Sequence, residues 1–310
     1  MASIININNK LSDTINLVSE VILGKEPTIE LALTCLLARG HLLIEDLPGM
    51  GKTTLAHALA VTLGLRFQRI QFTSDLLPAD ILGLSIYDRE RGDFRFHPGP
   101  VFTQLLLADE INRATPKAQS ALLEAMEEHQ VTLDGEARPL PEPFFVVATQ
   151  NPLQQLGTFA LPESQLDRFL MRLSLGYPDA AAERALLSGQ DRRQKLETLR
   201  PVLTAPELIA LQSQIETLHI APPILDYIQA LLLASRRAEQ MQPGLSPRAG
   251  LALVRASRAF AAIRGRDYVI PEDVQAIFEA VAGHRLGATG TDAQAAGAMS
   301  KWLLEQVDLV

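Results

Sequence analysis

The stretch 43-LIEDLPGMGKTT-54 decides the fold. An apolar run ends in an acidic residue, glycines follow at 49 and 51, and Lys52-Thr53-Thr54 opens a helical pattern; strand, glycine turn and helix in that order make a phosphate-binding loop. Gly49 and Gly51 let the backbone turn its N–H groups towards phosphate oxygens with no side chain in the way, and Met50 and Thr54 belong to the same cradle. Lys52 reaches the terminal phosphates as a point charge, and the Thr53 hydroxyl can bind Mg²⁺. The general pattern begins with glycine at position 46, where this chain has Asp46.

Outward from the loop, short apolar runs alternate with helical patterns as far as Gly176. HLLIED (41–46), FQRIQF (67–72), VFTQLLLAD (101–109), FFVVAT (144–149) and FLMRLS (169–174) read as strands, most of them without the polar alternation of a half-exposed sheet. An α/β domain with a parallel sheet is expected over 1–176. Thr115 and Pro116 predict the N-cap and first position of a helix. GLSIYDRERGDFRFHPGP (83–100) and VTLDGEARPLPEP (131–143) have polar, glycine-containing centres between β-prone flanks and read as inserted hairpins. Beyond Tyr177-Pro178 the strand signals stop. A Thr204/Glu207 capping box, Ser246-Pro247 and Ile270-Pro271 open further helices, so an all-helical domain is expected over 177–310. Leu286–Gly297 reads as a loop before a short last helix around Trp302.

Two more strand ends carry chemistry. LLLADEINRA (105–114) closes an apolar strand with Asp109-Glu110: one carboxylate beside the metal of a phosphate site, the next placed to act as general base on water. FFVVATQNP ends in Asn151, a neutral amide that can hold the attacking water or the γ-phosphate without adding charge. A parallel sheet brings all these strand ends to one edge.

Composition narrows the function. The chain has 310 residues, 28 Lys+Arg against 36 Asp+Glu, and a net charge of −8, so nucleic-acid binding is not expected without a local basic patch. One cysteine, Cys35, leaves no disulfide framework and no cysteine-ligated zinc. The six histidines show no metal-ligand spacing, and Phe94, Phe96 and Trp302 read as packing residues rather than base-stacking platforms. Apolar runs reach five residues, far from a membrane span, and no signal peptide is visible; a cytoplasmic protein is expected.

Taken together, PGMGKTT, LLLADEINRA, the ATQNP segment, LPESQLDRFLMR (161–172) and GLSPRAG (244–250) resemble the AAA+ ATPases, and within them the MoxR family of the clade with an insert in helix two. The resemblance covers essentially the whole chain, with the first two segments as its Walker A and Walker B motifs. It implies ATP and Mg²⁺ as cofactors, a P-loop parallel-sheet domain and a helical lid. Residues 83–100 resemble the helix-two insert, and 131–143 the hairpin before the first sensor. By resemblance Arg168 is the arginine finger offered to a neighbouring subunit, with Arg172 as its rival; Arg248 is the second sensor; and ILGKE (22–26), through Ile22 and Gly24, contacts adenine. Arg248 falls in the first turn of a helix capped by Ser246, from which motion of the bundle could carry it onto phosphate. The resemblance further implies a homo-oligomeric, hexameric ring with a chaperone-like role on a client protein complex, beside a separate chain bearing a von Willebrand factor A domain. The alternatives are a magnesium-chelatase-like ATPase subunit, a DNA-dependent motor, which the net charge opposes, and a nucleotide-gated scaffold without turnover, which the intact Glu110 opposes.

Overall fold

A computed structural model describes residues 2–151, 157–188, 192–241, 244–286 and 293–308. In chain order its helices are α1 (Ala2–Val21), α2 (Glu26–Leu37), α3 (Lys52–Thr62), α4 (Pro78–Leu82), α5 (Pro116–Glu128), α6 (Glu163–Leu166), α7 (Ala180–Leu187), α8 (Arg192–Thr198), α9 (Ala205–Glu216), α10 (Pro222–Arg237), α11 (Pro247–Ile263), α12 (Pro271–Ala282) and α13 (Ala293–Gln306). The strands are β1 (Leu42–Glu45), β2 (Phe67–Gln71), β3 (Gly83–Asp88), β4 (Asp93–Pro98), β5 (Leu105–Asp109), β6 (Gln130–Leu133), β7 (Glu136–Pro139), β8 (Phe145–Gln150) and β9 (Met171–Leu173). No helix among the described residues is long and apolar enough to cross a membrane.

Five strands form one parallel sheet in the order β2-β5-β8-β1-β9, the five runs expected from the sequence. Central β5 and β8 are buried throughout, which is why they lack polar alternation, while β2 at the edge exposes Gln68, Arg69 and Gln71. Within each strand the side chains alternate between two cores. Leu42, Ile44, Leu105, Leu107, Phe145 and Val147 face α1–α3 and are continuous with the core of the C-terminal helices. Leu43, Leu106, Ala108, Val146 and Ala148 face α5 and the hairpins. The third strand is shorter than the run 101–109: Val101, Phe102 and Thr103 donate instead to Ile81, Gly99 and Val101 carbonyls in a turn, and pairing starts at Leu105.

Both inserts are antiparallel hairpins, β3-β4 and β6-β7. They touch through Ser85 Oγ, which donates to Asp134 Oδ2 at 2.6 Å, and through the Arg138 guanidinium 4.2 Å above the Phe96 ring. Phe96 packs on Phe102, as a packing residue should, but Phe94 does not: it is 67% exposed at a solvated tip, with Tyr87 against its edge. The expected caps at Thr115, Thr204 and Ser246 each accept a backbone N–H from the third residue onward. After β9 the described residues are helical apart from short turns, 3-10 segments and a bridge between His219 and Tyr268. Half of the glycine-rich loop expected over 286–297, residues 287–292, lies outside the described residues, and its last part is already helical, because α13 begins at Ala293.

His41, just before β1, cross-links three elements: its Nδ1 accepts from Val146 N (3.0 Å) and its Nε2 lies 3.2 Å from the Met126 carbonyl. That pair of partners fixes a neutral ring, and burial pushes its pKa down to about 4. The unfolded ring, near 6.5, takes up a proton that the folded ring refuses, so this group's stabilisation is complete above about pH 6.5 and is lost as pH falls towards 4. Urea unfolding across that window should show stability declining, and the His41 ring signals in NMR should titrate near 4 rather than 6.5.

Candidate functional site

The loop after β1 is built for an anion. Gly49 and Gly51 adopt φ +85° and +90°, a region L side chains avoid. A Cβ at Gly49 would meet nothing within 4 Å, and one at Gly51 only Ile22 Cδ1 at 3.6 Å. Open backbone at the start of the 11-residue α3 therefore fits phosphate. Lys52 is buried there, its Nζ donating to the Asp46 carbonyl (2.6 Å) and to Asn151 Oδ1 (3.1 Å). Burial pushes its pKa below the ordinary lysine range, against the pull of Asp46, Asp109, Glu110 and Glu45.

Asn151 is the bridge. Its Oδ1 faces Lys52 and its Nδ2 donates to Glu110 Oε1 at 3.1 Å, so one amide connects the cation of the loop to the carboxylate of the neighbouring strand. Asn112, buried below, donates to the Asn151 carbonyl and holds it from the other side. Glu110 sits in the left-handed region at φ 56° with its N–H on Thr149 Oγ1. The same hydroxyl donates to Asp109 Oδ1 at 2.5 Å, so β8 orients both acids.

Sequence reading missed the cations and amides that complete the site. Arg69 on β2 places Nε and a terminal nitrogen on Asp109 Oδ2, at 3.1 and 2.7 Å. Glu110 Oε2 accepts from Gln71 (2.8 Å) and Arg113 (2.9 Å). Only the register of β2 beside β5 reveals Arg69 and Gln71, since they stand opposite Leu107 and Asp109 in the pairing. Thr53 in the first turn of α3 and Asp109 at the end of β5 offer a hydroxyl and a carboxylate, donor types that would suit Mg²⁺, an ion that keeps several waters and takes its remaining ligands from phosphate.

Beside the loop lies a cleft of ≈ 170 Å³. Ile22, Gly49, Met50, Gly51 and Thr54 line it, so the residues from 22–26 do come to the phosphate loop. Gly24 makes the turn between α1 and α2 at φ +66°, where a Cβ would stand 3.0 Å from Asp179 Oδ2. Gly176, Pro178, Leu186 of α7 and Leu196 of α8 line it as well; none of them reads as a site residue from the sequence.

Comparison with known proteins agrees with this geometry. Residues 41–171 match the model of the ATPase family associated with various cellular activities, and 233–306 match the AAA lid domain. Chaperone MoxR1 of Mycobacterium tuberculosis is 41% identical over 283 residues, 88% of this chain and 74% of that protein. The chain belongs to the MoxR family of AAA+ ATPases. An uncharacterised Bacillus subtilis protein, YeaC, is 46% identical over 89% of this chain and 86% of its own length. A crystal structure of a candidate ATPase from Cytophaga hutchinsonii superposes with a TM-score of 0.87 at 35% identity, covering 99% of this chain and 97% of the other.

In this MoxR-family chain Arg168 and Arg248 stand away from the chain's own phosphate loop. Arg168 precedes β9, at the opposite edge of the sheet from the loop, a strand length or roughly 15 Å away. It pairs with Glu127 at 3.0 Å. Arg172 lies within β9, largely buried against Glu45 of β1 at 3.1 Å, and so is committed inside the sheet. Arg248 is not beside its own phosphate loop: it shares Glu127 with Arg168 (2.6 Å) and lies 3.7 Å from Asp167. The reason is the packing of α11 along α2, which sets its first turn near the end of α5 and leaves α7 and α8 at the cleft.

Because Asn151 touches both the loop cation and Glu110, its loss should act on the reaction more than on binding. Asn151→Ala is expected to lower kcat for ATP by about 10²–10³-fold while raising KM less than about tenfold. Steady-state ATPase assays check this; a change confined to KM would make Asn151 a ground-state contact.

Proposed function

We propose that this protein hydrolyses Mg-ATP and uses the cycle to remodel a client protein complex, as a chaperone-like assembly factor working in cytoplasmic hexameric rings with a separate von Willebrand factor A domain protein. The observation that carries the reading is the chain Lys52–Asn151–Glu110 beside Asp109, at the sheet edge where the phosphate loop opens. In this reading residues 1–176 form the nucleotide-binding domain and 177–310 the lid. The loop from Gly49 to Thr54 and Lys52 bind the phosphates, and Ile22, with the Gly24 turn, sits at the base. Thr53 and Asp109 hold Mg²⁺, which would neutralise charge building on the phosphates. Glu110 takes the proton of the attacking water, and Asn151 orients that water between Glu110 and Lys52.

Arg168 and Arg248 complete a neighbour's site. They lie together on Glu127 at the edge opposite their own loop, so a ring that stacks this edge against the next subunit's phosphates delivers both. Such a cation supplied in trans is worth ~10³–10⁵ in rate.

Two experiments test the proposal. Lys52→Ala should abolish nucleotide binding, whereas Glu110→Gln should bind ATP and fail to hydrolyse it, since Lys52 meets the ground-state phosphates and Glu110 acts on water. Equal affinity losses in both would remove the general-base role. Arg168→Ala and Glu110→Gln proteins should each turn over poorly, yet recover activity when mixed with subunit exchange. About a quarter of randomly mixed sites then join an intact Glu110 to an intact Arg168. No recovery, with exchange verified by energy transfer between differently labelled subunits, would refute a trans role for Arg168.

A further inference from the structure

Asp46 stands where the general phosphate-loop pattern has its first glycine, and its side chain is not idle. It is buried, and its carboxylate accepts four hydrogen bonds. Oδ1 takes the N–H of Leu47 at 2.8 Å. Oδ2 takes Ser174 Oγ at 3.0 Å and the N–H groups of Leu175 and Gly176, each at 2.7 Å. The backbone carbonyl of the same residue receives Lys52 Nζ at 2.6 Å. One residue therefore touches the phosphate-binding lysine through its main chain and the exit of β9 through its side chain.

That exit is the wall of the cleft. Segment 174–176 leaves β9, turns at Gly176 (φ +60°) and runs into Pro178; Gly176, Pro178 and Leu186 line the pocket together with Ile22 and Met50. A second tie closes the other side, where Lys25 Nζ donates to the Tyr177 carbonyl at 2.6 Å. A glycine at 46 would leave the N–H groups of Leu175 and Gly176 without this acceptor. A buried anion with four donors is costly to assemble unless each donor is fixed in place, so the loop and the wall hold each other's position.

We propose that Asp46 is a positioning residue that couples the phosphate loop to the wall of the base pocket, so that triphosphate and base are bound as one unit. The inference rests on the nucleotide reading above. It predicts a split that a merely structural aspartate would not give: weakening the tie should cost affinity for a ligand spanning loop and wall, and spare one that touches the loop alone.

Titration calorimetry on the full chain with Mg-ATP and with inorganic tripolyphosphate reads this split. Asp46→Asn can offer its oxygen to Leu47 or to the 174–176 donors but not to both, and turns its NH₂ on the other. Its ATP affinity should fall about tenfold while tripolyphosphate affinity stays within about twofold of wild type. Ser174→Ala removes a single donor and carries the test should Asp46→Asn fold poorly; its ATP affinity should fall by about two- to fourfold, again with tripolyphosphate unchanged. Parallel losses for both ligands would reduce Asp46 to a loop-shaping residue and overturn the inference, as would unchanged ATP binding in both variants. Wild-type protein that fails to bind ATP would instead overturn the nucleotide reading itself.

Discussion

Parallel pairing is the constraint on which the rest of the molecule depends. Because β5, β8 and β1 run the same way with paired residues in step, their last residues arrive at one edge, where Asn151 bonds to Glu110 and Lys52 joins Asn151 to the Asp46 carbonyl. Asp109 ends one strand with Glu110 directly after it, Asn151 comes directly after the next, and Asp46 after the third. No helix arranges these groups. The helices bury the two faces of the sheet, and that burial fixes the register that aligns the chemistry.

Four carboxylates converge at this edge: Glu45, Asp46, Asp109 and Glu110. Like charges so close would repel, and each has a partner that answers it. Glu45 has Arg172, Asp109 has Arg69, Glu110 has Arg113, and Asp46 has its four donors with Lys52 on its carbonyl. In the proposed reading, metal and nucleotide would meet a site whose charges are already balanced, so that loading it would be an exchange of partners. An Mg²⁺ ion at Asp109 would compete with a half-exposed arginine, which is far easier to displace than a buried one.

Much of this was legible in the sequence. Five strands, both hairpins and the caps at Thr115, Thr204 and Ser246 were readable because their signals are local: unbroken apolar runs, polar glycine centres, and a hydroxyl three residues before its N–H. Lys52, Asp109, Glu110 and Asn151 were readable because each ends a strand or opens a helix. Helix α1 was not recognised, although Leu11, Thr14, Val18 and Val21 fall on one buried face, because the intervening Asn and Ser residues mask the period. The partners of Asp46 lie about 130 residues away along the chain, and those of Asp109 on an edge strand, so only strand order brings them into view. The surroundings of Arg248 were hidden for the same reason: its helix cap is local, but the side of the sheet on which α11 packs is not.

Glu110 carries one more consequence. A non-glycine residue at φ 56° costs roughly 1–2 kcal/mol relative to an unstrained backbone, and a glycine there would cost little. That saving stands against the three hydrogen bonds the Glu110 carboxylate accepts from Gln71, Arg113 and Asn151. If Glu110 is the proposed general base, position 110 records a trade between durability and work, and a descendant that kept the fold but lost its ATP cycle would be expected to drift early at this turn.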